Sequence, residues 1–236
     1  RVLILVFSPV YGAWQSTLAI FALLTMFTGN LLALLQDDVK RLLAFSTIAN
    51  VGYILLGLAI GSNRALTGSL FHLLNHALVK ALLFFCAGAF IYETRSRSLK
   101  ELAGIRRVMP ITGTLFIIGT ISLSGIPPMN FFWSELTIIM ASVEAGAIHL
   151  SLLLIINLML SAVYCLRLIQ TLALKETTSI SKKAREPPKI MLIPILTLGF
   201  LCVLIGIYPV PFQIYAKEAA EAALNIKSYV ESIIPS

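Results

Sequence analysis

Three ionisable side chains share one face of an apolar stretch. Residues 66 to 91 read LTGSLFHLLNHALVKALLFFCAGAFI, and inside stand His72, His76 and Lys80. They recur every four residues, so on a helix each is displaced by only about 40° from the last, and all three line one stripe. At about 1.5 Å per residue, His72 and Lys80 lie about 12 Å apart along the axis. Two imidazoles that titrate near neutrality, followed by an amine with an exchangeable proton, are the parts of a proton relay. A charged side chain at mid-membrane costs about 3 kcal/mol on insertion scales, so such residues face a polar interior and mark ion pathways. The plainer reading of the same stripe is a polar seam that only holds helices together.

The rest of the chain must supply that interior. Of 236 residues 58% are hydrophobic and 12% charged, with a mean hydropathy of +0.91. Soluble domains carry about 25% charged residues, so this composition implies an all-α integral membrane protein with little room for a soluble domain. The net charge of +7 sits mostly in a few loops, a pattern that concerns orientation in a membrane and not nucleic acid. Cys86, Cys165 and Cys202 lie far apart in apolar stretches without metal-ligand spacing, so they read as packing residues. No phosphate loop, dinucleotide fingerprint or nucleophile beside a base is present, and nothing suggests a site for flavin, haem or an iron–sulfur cluster. No cofactor is expected, and any redox chemistry is expected in partner subunits. A chain that opens at Arg1 without a signal-peptide pattern reads as a fragment, or as one whose true beginning lies elsewhere.

In chain order, residues 1 to 9 resemble the tail of a helix stopped at Pro9. Spans follow at about Trp14 to Leu35, with Trp14 as an interface anchor, and at Leu42 to Ile60, which carries Ser46, Asn50 and Tyr53 on one face. Then comes the helix of the two histidines. Residues 110 to 143 hold two apolar halves around Pro127 and Pro128. Each half has about 14 to 16 residues against the ~20 a span needs. The stretch is either two short spans joined by a turn or one span broken midway, and non-helical backbone at membrane depth survives only inside protein or a wet cavity. Glu135 follows the prolines among Trp133, Leu136 and Ile138. A span at Ile148 to Leu172 carries Asn157, Ser161 and Tyr164 in one line, with Arg167 placed to snorkel. A last span at Ile190 to Ile207 precedes an amphipathic tail at 212 to 232.

Charge decides between the two readings of the broken stretch. If it crosses once, the loops 37–41, 92–109 and 173–189 share one side and hold twelve of the eighteen Lys and Arg residues. If it crosses twice, the two most basic loops fall on opposite sides. The positive-inside rule favours the single broken span, with these three loops on the cytoplasmic or matrix side of a cell or organelle inner membrane. The expectation is six transmembrane helices, one discontinuous, with a non-helical segment at 125–130 near the bilayer midplane.

Three motifs resemble one family. QDDVKRLLAFSTIANVGYILLGLAIG is similar to its Q-x-D-x-K-R-x-L-A-Y-S-S segment, FHLLNHALVKALLFFCAGA to its F-H-x-x-x-H-A-x-x-K-A-x-L-F helix, and SGIPPMNFFWSE to its broken-helix segment. This is the antiporter-like, proton-translocating subunit family of respiratory complex I, energy-converting membrane-bound hydrogenases and multisubunit sodium/proton antiporters. The resemblance covers about residues 12 to 172. It implies that Lys40, His72, His76, Lys80 and Glu135 are members of a proton path, in the order Lys40, His76, His72, Lys80, Glu135. Asn50, Asn157 and Tyr164 are the supporting polar residues. It divides the chain into the end of a preceding helix at 1–9, a five-helix repeat at 10–172 with its broken helix at 110–143, a basic loop at 173–189, and a final helix with its tail at 190–236.

The repeat resembles the second of the two inverted repeats of full-length members, their C-terminal half. The first repeat's glutamate and lysines are not in this sequence, so the chain reads as a fragment, as a split subunit whose partner supplies the rest, or as a truncated paralogue without conduction. The implied setting is a membrane complex with other antiporter-like and small membrane subunits, redox subunits and lipid, but no nucleic acid. The rival functions are a secondary sodium/proton antiporter subunit and a purely structural membrane-arm element. Bottom-up, Glu135 is expected to be buried beside the break as a gate, with Lys80 as its positive neighbour.

Overall fold

The computed structural model describes residues 11 to 225, and its regular elements are helical: α1 (Tyr11–Leu34), α2 (Val39–Ile60), α3 (Asn63–Thr94), α4 (Pro110–Leu123), α5 (Asn130–Glu144), α6 (Ile148–Ile169), α7 (Lys189–Ile207) and α8 (Val210–Leu224). Short 3-10 turns lie at Ile105–Arg107 and Ser181–Lys183, and a π-helical turn, Gln170–Leu174, extends α6. The expected helix tail at 1–9 lies outside the described residues, as does the end of the amphipathic tail beyond Asn225. Among the described residues, five helices are long and apolar enough to cross a membrane.

Local signals set the helix ends. The Asp38 carboxylate accepts from Arg41 N at 3.0 Å and starts α2 just before its apolar run. Ser62 does the same for α3 through Ala65 N at 3.1 Å. Gly61 closes α2 in the left-handed conformation. The 32 residues of α3 make it the longest helix among the described residues, and α2, α4, α5, α7 and α8 all pack on it.

The broken stretch is two half-length helices laid end to end along α3. Phe116 of α4 packs on Phe90 with ring centroids 5.5 Å apart. Beyond the break, Asn130 of α5 bonds Asn75, Ser134 meets His72, and Ile138 packs beside Gly68. The register therefore rises from 116 to 138 on one track as it falls from 90 to 68 on the other. Backbone between the halves is non-helical at 124–129, and Asn130 already opens α5, one residue inside the segment expected to be irregular. A tie spans the gap, because the Ser122 hydroxyl at the end of α4 donates to Asn130 Oδ1. On the far side, α7 ends against this break. Gly206 lies so near that an added Cβ would stand 2.6 Å from Pro128 O, and Trp133 Nε1 donates to Gly206 O at 2.8 Å.

The three basic loops meet at one end of the bundle. Val39 N donates to Arg97 O at 3.0 Å and Leu99 N to Asp37 O at 2.8 Å, which joins 37–41 to 92–109. Thr178 Oγ1 reaches Glu101 O at 2.6 Å and Ser181 Oγ reaches Ala103 O at 2.9 Å, which joins 173–189 to the same layer. Glu186 accepts from Ile111 N and from the Thr112 hydroxyl, both at 2.6 Å, and so satisfies free donors at the start of α4. Arg167 donates to the carbonyls of Leu34 and Gln36, each at 3.0 Å, and pairs with Asp37. It thereby caps the C-terminus of α1.

Candidate functional site

Lys80, His76 and His72 face the interior between α2, α3, α5 and α6, and all three are buried. Lys80 Nζ donates to Leu43 O at 3.3 Å and to the Ser46 hydroxyl of α2. His72 is held from both sides, with Nε2 3.0 Å from Asn50 Oδ1 and Nδ1 2.9 Å from Ser134 Oγ. Its ring also lies 4.8 Å, centroid to centroid, from Phe131. His76 Nε2 is buried and has no hydrogen-bond partner among the described residues. On α5, Glu135 is buried with its Oε1 likewise unpartnered, and its Oε2 lies on Gly125 within the break. Gly125 has φ +68°, and an added Cβ there would overlap that oxygen. Helix geometry explains why a residue on the second turn of α5 reaches the break, since side chains lean toward the N-terminus of their helix.

The antiparallel course of α2 and α3 fixes the order of these groups. Rising numbers on α2 meet falling numbers on α3, so Lys80 sits at the level of Leu43 and Ser46 and His72 at the level of Asn50. Lys80 is therefore the group nearest Lys40, with His76 and then His72 beyond, which revises the order expected from the sequence. Lys40 is half-buried in the first turn of α2, six residues or about 9 Å before Ser46. Its side chain makes no hydrogen bond or ion pair among the described residues, including none with the other candidate groups. Glu135 follows Ser134 and so shares His72's level. No Lys80–Glu135 ion pair forms among the described residues. The expectation of Lys80 as the direct positive neighbour of Glu135 is corrected accordingly.

The supporting residues divide into two sets. Asn50 belongs to the histidine site, its amide anchored by donation to Ser46 O at 2.8 Å. Asn157 and Tyr164 belong to a second buried cluster centred on Asn30 of α1, a residue that no motif or spacing singles out. Asn30 donates to Asn157 Oδ1, to Asn157 O at 3.0 Å and to Tyr53 Oη at 3.2 Å, and accepts from Tyr164 Oη at 3.1 Å. Removing one member of such a cluster leaves others unsatisfied, at about 1–3 kcal/mol each. Asn75 and Asn130 are further functional candidates that sequence reasoning missed. They bond reciprocally, Asn75 Nδ2 to Asn130 O at 2.9 Å and Asn130 Nδ2 to Asn75 Oδ1 at 3.1 Å, and fix the start of α5 to α3. Their signal was available, since Asn75 falls three residues after His72 and Asn130 four before Ser134.

Among the described residues, an all-helical fold sets a split helix beside a buried lysine, two histidines and a glutamate. Residues 1–161 match the family described as NADH:quinone oxidoreductase/Mrp antiporter, transmembrane region, and the chain belongs to that family. It is 38% identical over 192 residues to the NADH-quinone oxidoreductase subunit N of Desulforudis audaxviator, covering 76% of this chain and 38% of that one. It is 31% identical over 241 residues to a Na(+)/H(+) antiporter subunit of Alkalihalophilus pseudofirmus, covering 99% and 48%. Among solved structures it is similar to a chain of the membrane-bound sulfane sulfur reductase, an archaeal respiratory membrane complex, with TM-score 0.87, 32% identity and coverage of 94% and 45%. A chain of the Mrp complex from Dietzia sp. shares the fold at TM-score 0.92 and 22% identity, over 99% of this chain and 51% of that one. The chain thus spans less than half the length of either curated relative.

Proposed function

We propose that this chain is a proton-translocating membrane subunit of a redox-driven ion pump of the complex I or membrane-bound hydrogenase type. Protons move among Lys40, Lys80, His76, His72 and Glu135, with water crossing the gaps. The observation that carries this reading is the set of four buried ionisable groups on two facing helices with no ion pair between them, aligned with a helix break. A purely structural seam would pair its charges. On this reading the chain crosses the membrane six times, with α4 and α5 forming the single broken crossing inside a five-helix repeat. The latched basic loops then lie on the cytoplasmic or matrix side. Its partners are other antiporter-like subunits and redox subunits that hold the cofactors.

Likeness to the sodium/proton antiporter relative over nearly the whole chain supports a second reading, sodium/proton exchange without redox drive. The two differ in whether an electron donor or a sodium gradient drives proton movement in vesicles containing the complete complex.

His76→Leu tests conduction itself. His76 Nε2 has no protein partner among the described residues, so an apolar side chain of similar reach leaves no polar group behind. The variant complex is expected to assemble at wild-type levels and to move protons at least about tenfold more slowly, read with a pH-sensitive dye inside proteoliposomes. Wild-type transport would favour the structural reading.

A further inference from the structure

Hydrogen-bond bookkeeping around His72 specifies which of its nitrogens can exchange a proton. Asn50 donates through Nδ2 to Ser46 O, so its Oδ1 faces His72. An amide oxygen only accepts, so His72 Nε2 must carry a hydrogen and donate it. That bond is the same whether the ring is neutral or cationic, and the amide oxygen offers the proton nowhere to go. Only Nδ1 remains, and it faces Ser134 Oγ at 2.9 Å.

The Ser134 hydroxyl has one hydrogen and two acceptors within reach, His72 Nδ1 and Phe131 O, the latter at 2.9 Å. With neutral His72 the hydroxyl must donate to Nδ1. With the imidazolium, Nδ1–H donates to Oγ and the hydroxyl must turn to Phe131 O. We infer that Ser134 is the port through which His72 gains and loses its proton, so that His72 is a proton store facing the broken helix and not a pass-through link along α3. This inference rests on the translocation reading above and deepens it.

The exchange balances simply. The Oγ–H bond breaks as Nδ1–H forms, and Oγ takes a replacement proton from an acid or hydronium beyond it. The new hydroxyl turns to Phe131 O, and the net change is one proton gained by His72. The ionisable groups around the ring are His76 and Lys80 on its own helix, Glu135 on α5 next to Ser134, and Tyr53 on α2, whose ring centroid is 5.7 Å away. Of the elements packed on His72, α5 alone brings a carboxyl group, Glu135, one residue after Ser134 and with its Oε2 on Gly125.

The test compares Ser134→Ala, Ser134→Thr, Ser134→Val and His72→Leu in the complete complex, in sealed vesicles, with proton movement followed across a pH series. Ser134→Thr keeps the hydroxyl and is expected to translocate within about twofold of wild type. Ser134→Ala and Ser134→Val are expected to be slower by about tenfold or more, with a pH–rate profile matching that of His72→Leu. Threonine and valine have the same shape, so this pair carries the comparison if the alanine variant assembles poorly. Equal rates for threonine and valine would overturn the port while leaving the relay standing, provided that His72→Leu is impaired. Wild-type rates in His72→Leu would overturn both.

Discussion

Replacing Lys80 with arginine is expected to stop proton movement as fully as replacing it with methionine. Lys80 Nζ is buried and donates to Leu43 O and Ser46 Oγ. Methionine keeps most of the apolar stem and removes the charge. It leaves the Ser46 hydroxyl short of a donor, at about 1–3 kcal/mol, while Leu43 O still accepts from the Ser46 and Thr47 hydroxyls; it also relieves the cost of burying an ammonium group, so the fold is expected to survive. Arginine keeps the charge and the donors but holds its proton throughout the accessible pH range. A seam that needs only a positive donor would tolerate arginine, whereas a group that must release its proton would not. Both variants are expected to lower translocation by about 100-fold or more at normal assembly, measured in vesicles with an ionophore control. Near-normal pumping by Lys80→Arg would show that the amine never deprotonates in the cycle.

Glu135 supplies the second large effect, with a test that leaves the acid itself untouched. Its carboxylate rests on Gly125, a left-handed glycine in the break. Glu135→Gln preserves shape but cannot exchange a proton and is expected to abolish coupling, again by about 100-fold or more. Gly125→Ala should do nearly as much. The new methyl group would overlap Oε2, and the positive φ adds about 1–2 kcal/mol of strain for an L side chain. Because the collision is with the carboxylate, shortening that side chain should relieve it. The double variant Gly125→Ala/Glu135→Asp is therefore expected to translocate faster than Gly125→Ala alone, in the same vesicle assay. If Gly125→Ala assembles and pumps normally, the carboxylate has no need of its seat on the break.

Much of this site was legible from periodicity. His72, His76 and Lys80 declare themselves because one helix carries all three at four-residue spacing. The broken helix is announced by adjacent prolines between two segments each too short to span. Lys40 is different. Nothing local distinguishes it from any basic residue at a membrane surface, and only the family resemblance singles it out. The order of these groups along the bundle was not legible, because it depends on the antiparallel register of α2 against α3, which no single helix records. Nor was the Asn30 cluster, whose members lie 127 residues apart in sequence and meet only when α1 packs on α6. Glu186 was hidden for another reason. It is one acid in a basic loop, and its role in closing the start of α4 appears only once the loop folds back over that helix.

The end-to-end placement of α4 and α5 along α3 has a consequence for biogenesis. Neither half is long enough to settle in a bilayer alone, and backbone groups left open by the irregular segment at 124–129 would cost several kcal/mol each in hydrocarbon. The α3 helix precedes both halves in synthesis and offers Asn75 to the start of α5. The two halves should therefore leave the insertion machinery as one hairpin-free unit already leaning on α3. Polar-to-leucine changes at Asn75 or Asn130 would then act during insertion, before any proton moves. Nascent chains arrested after residue 145 and carrying Asn75→Leu should fail to protect α5 from aqueous cysteine-reactive probes, while wild-type chains of equal length protect it. Equal protection in both would mean that the broken helix finds the membrane without its template.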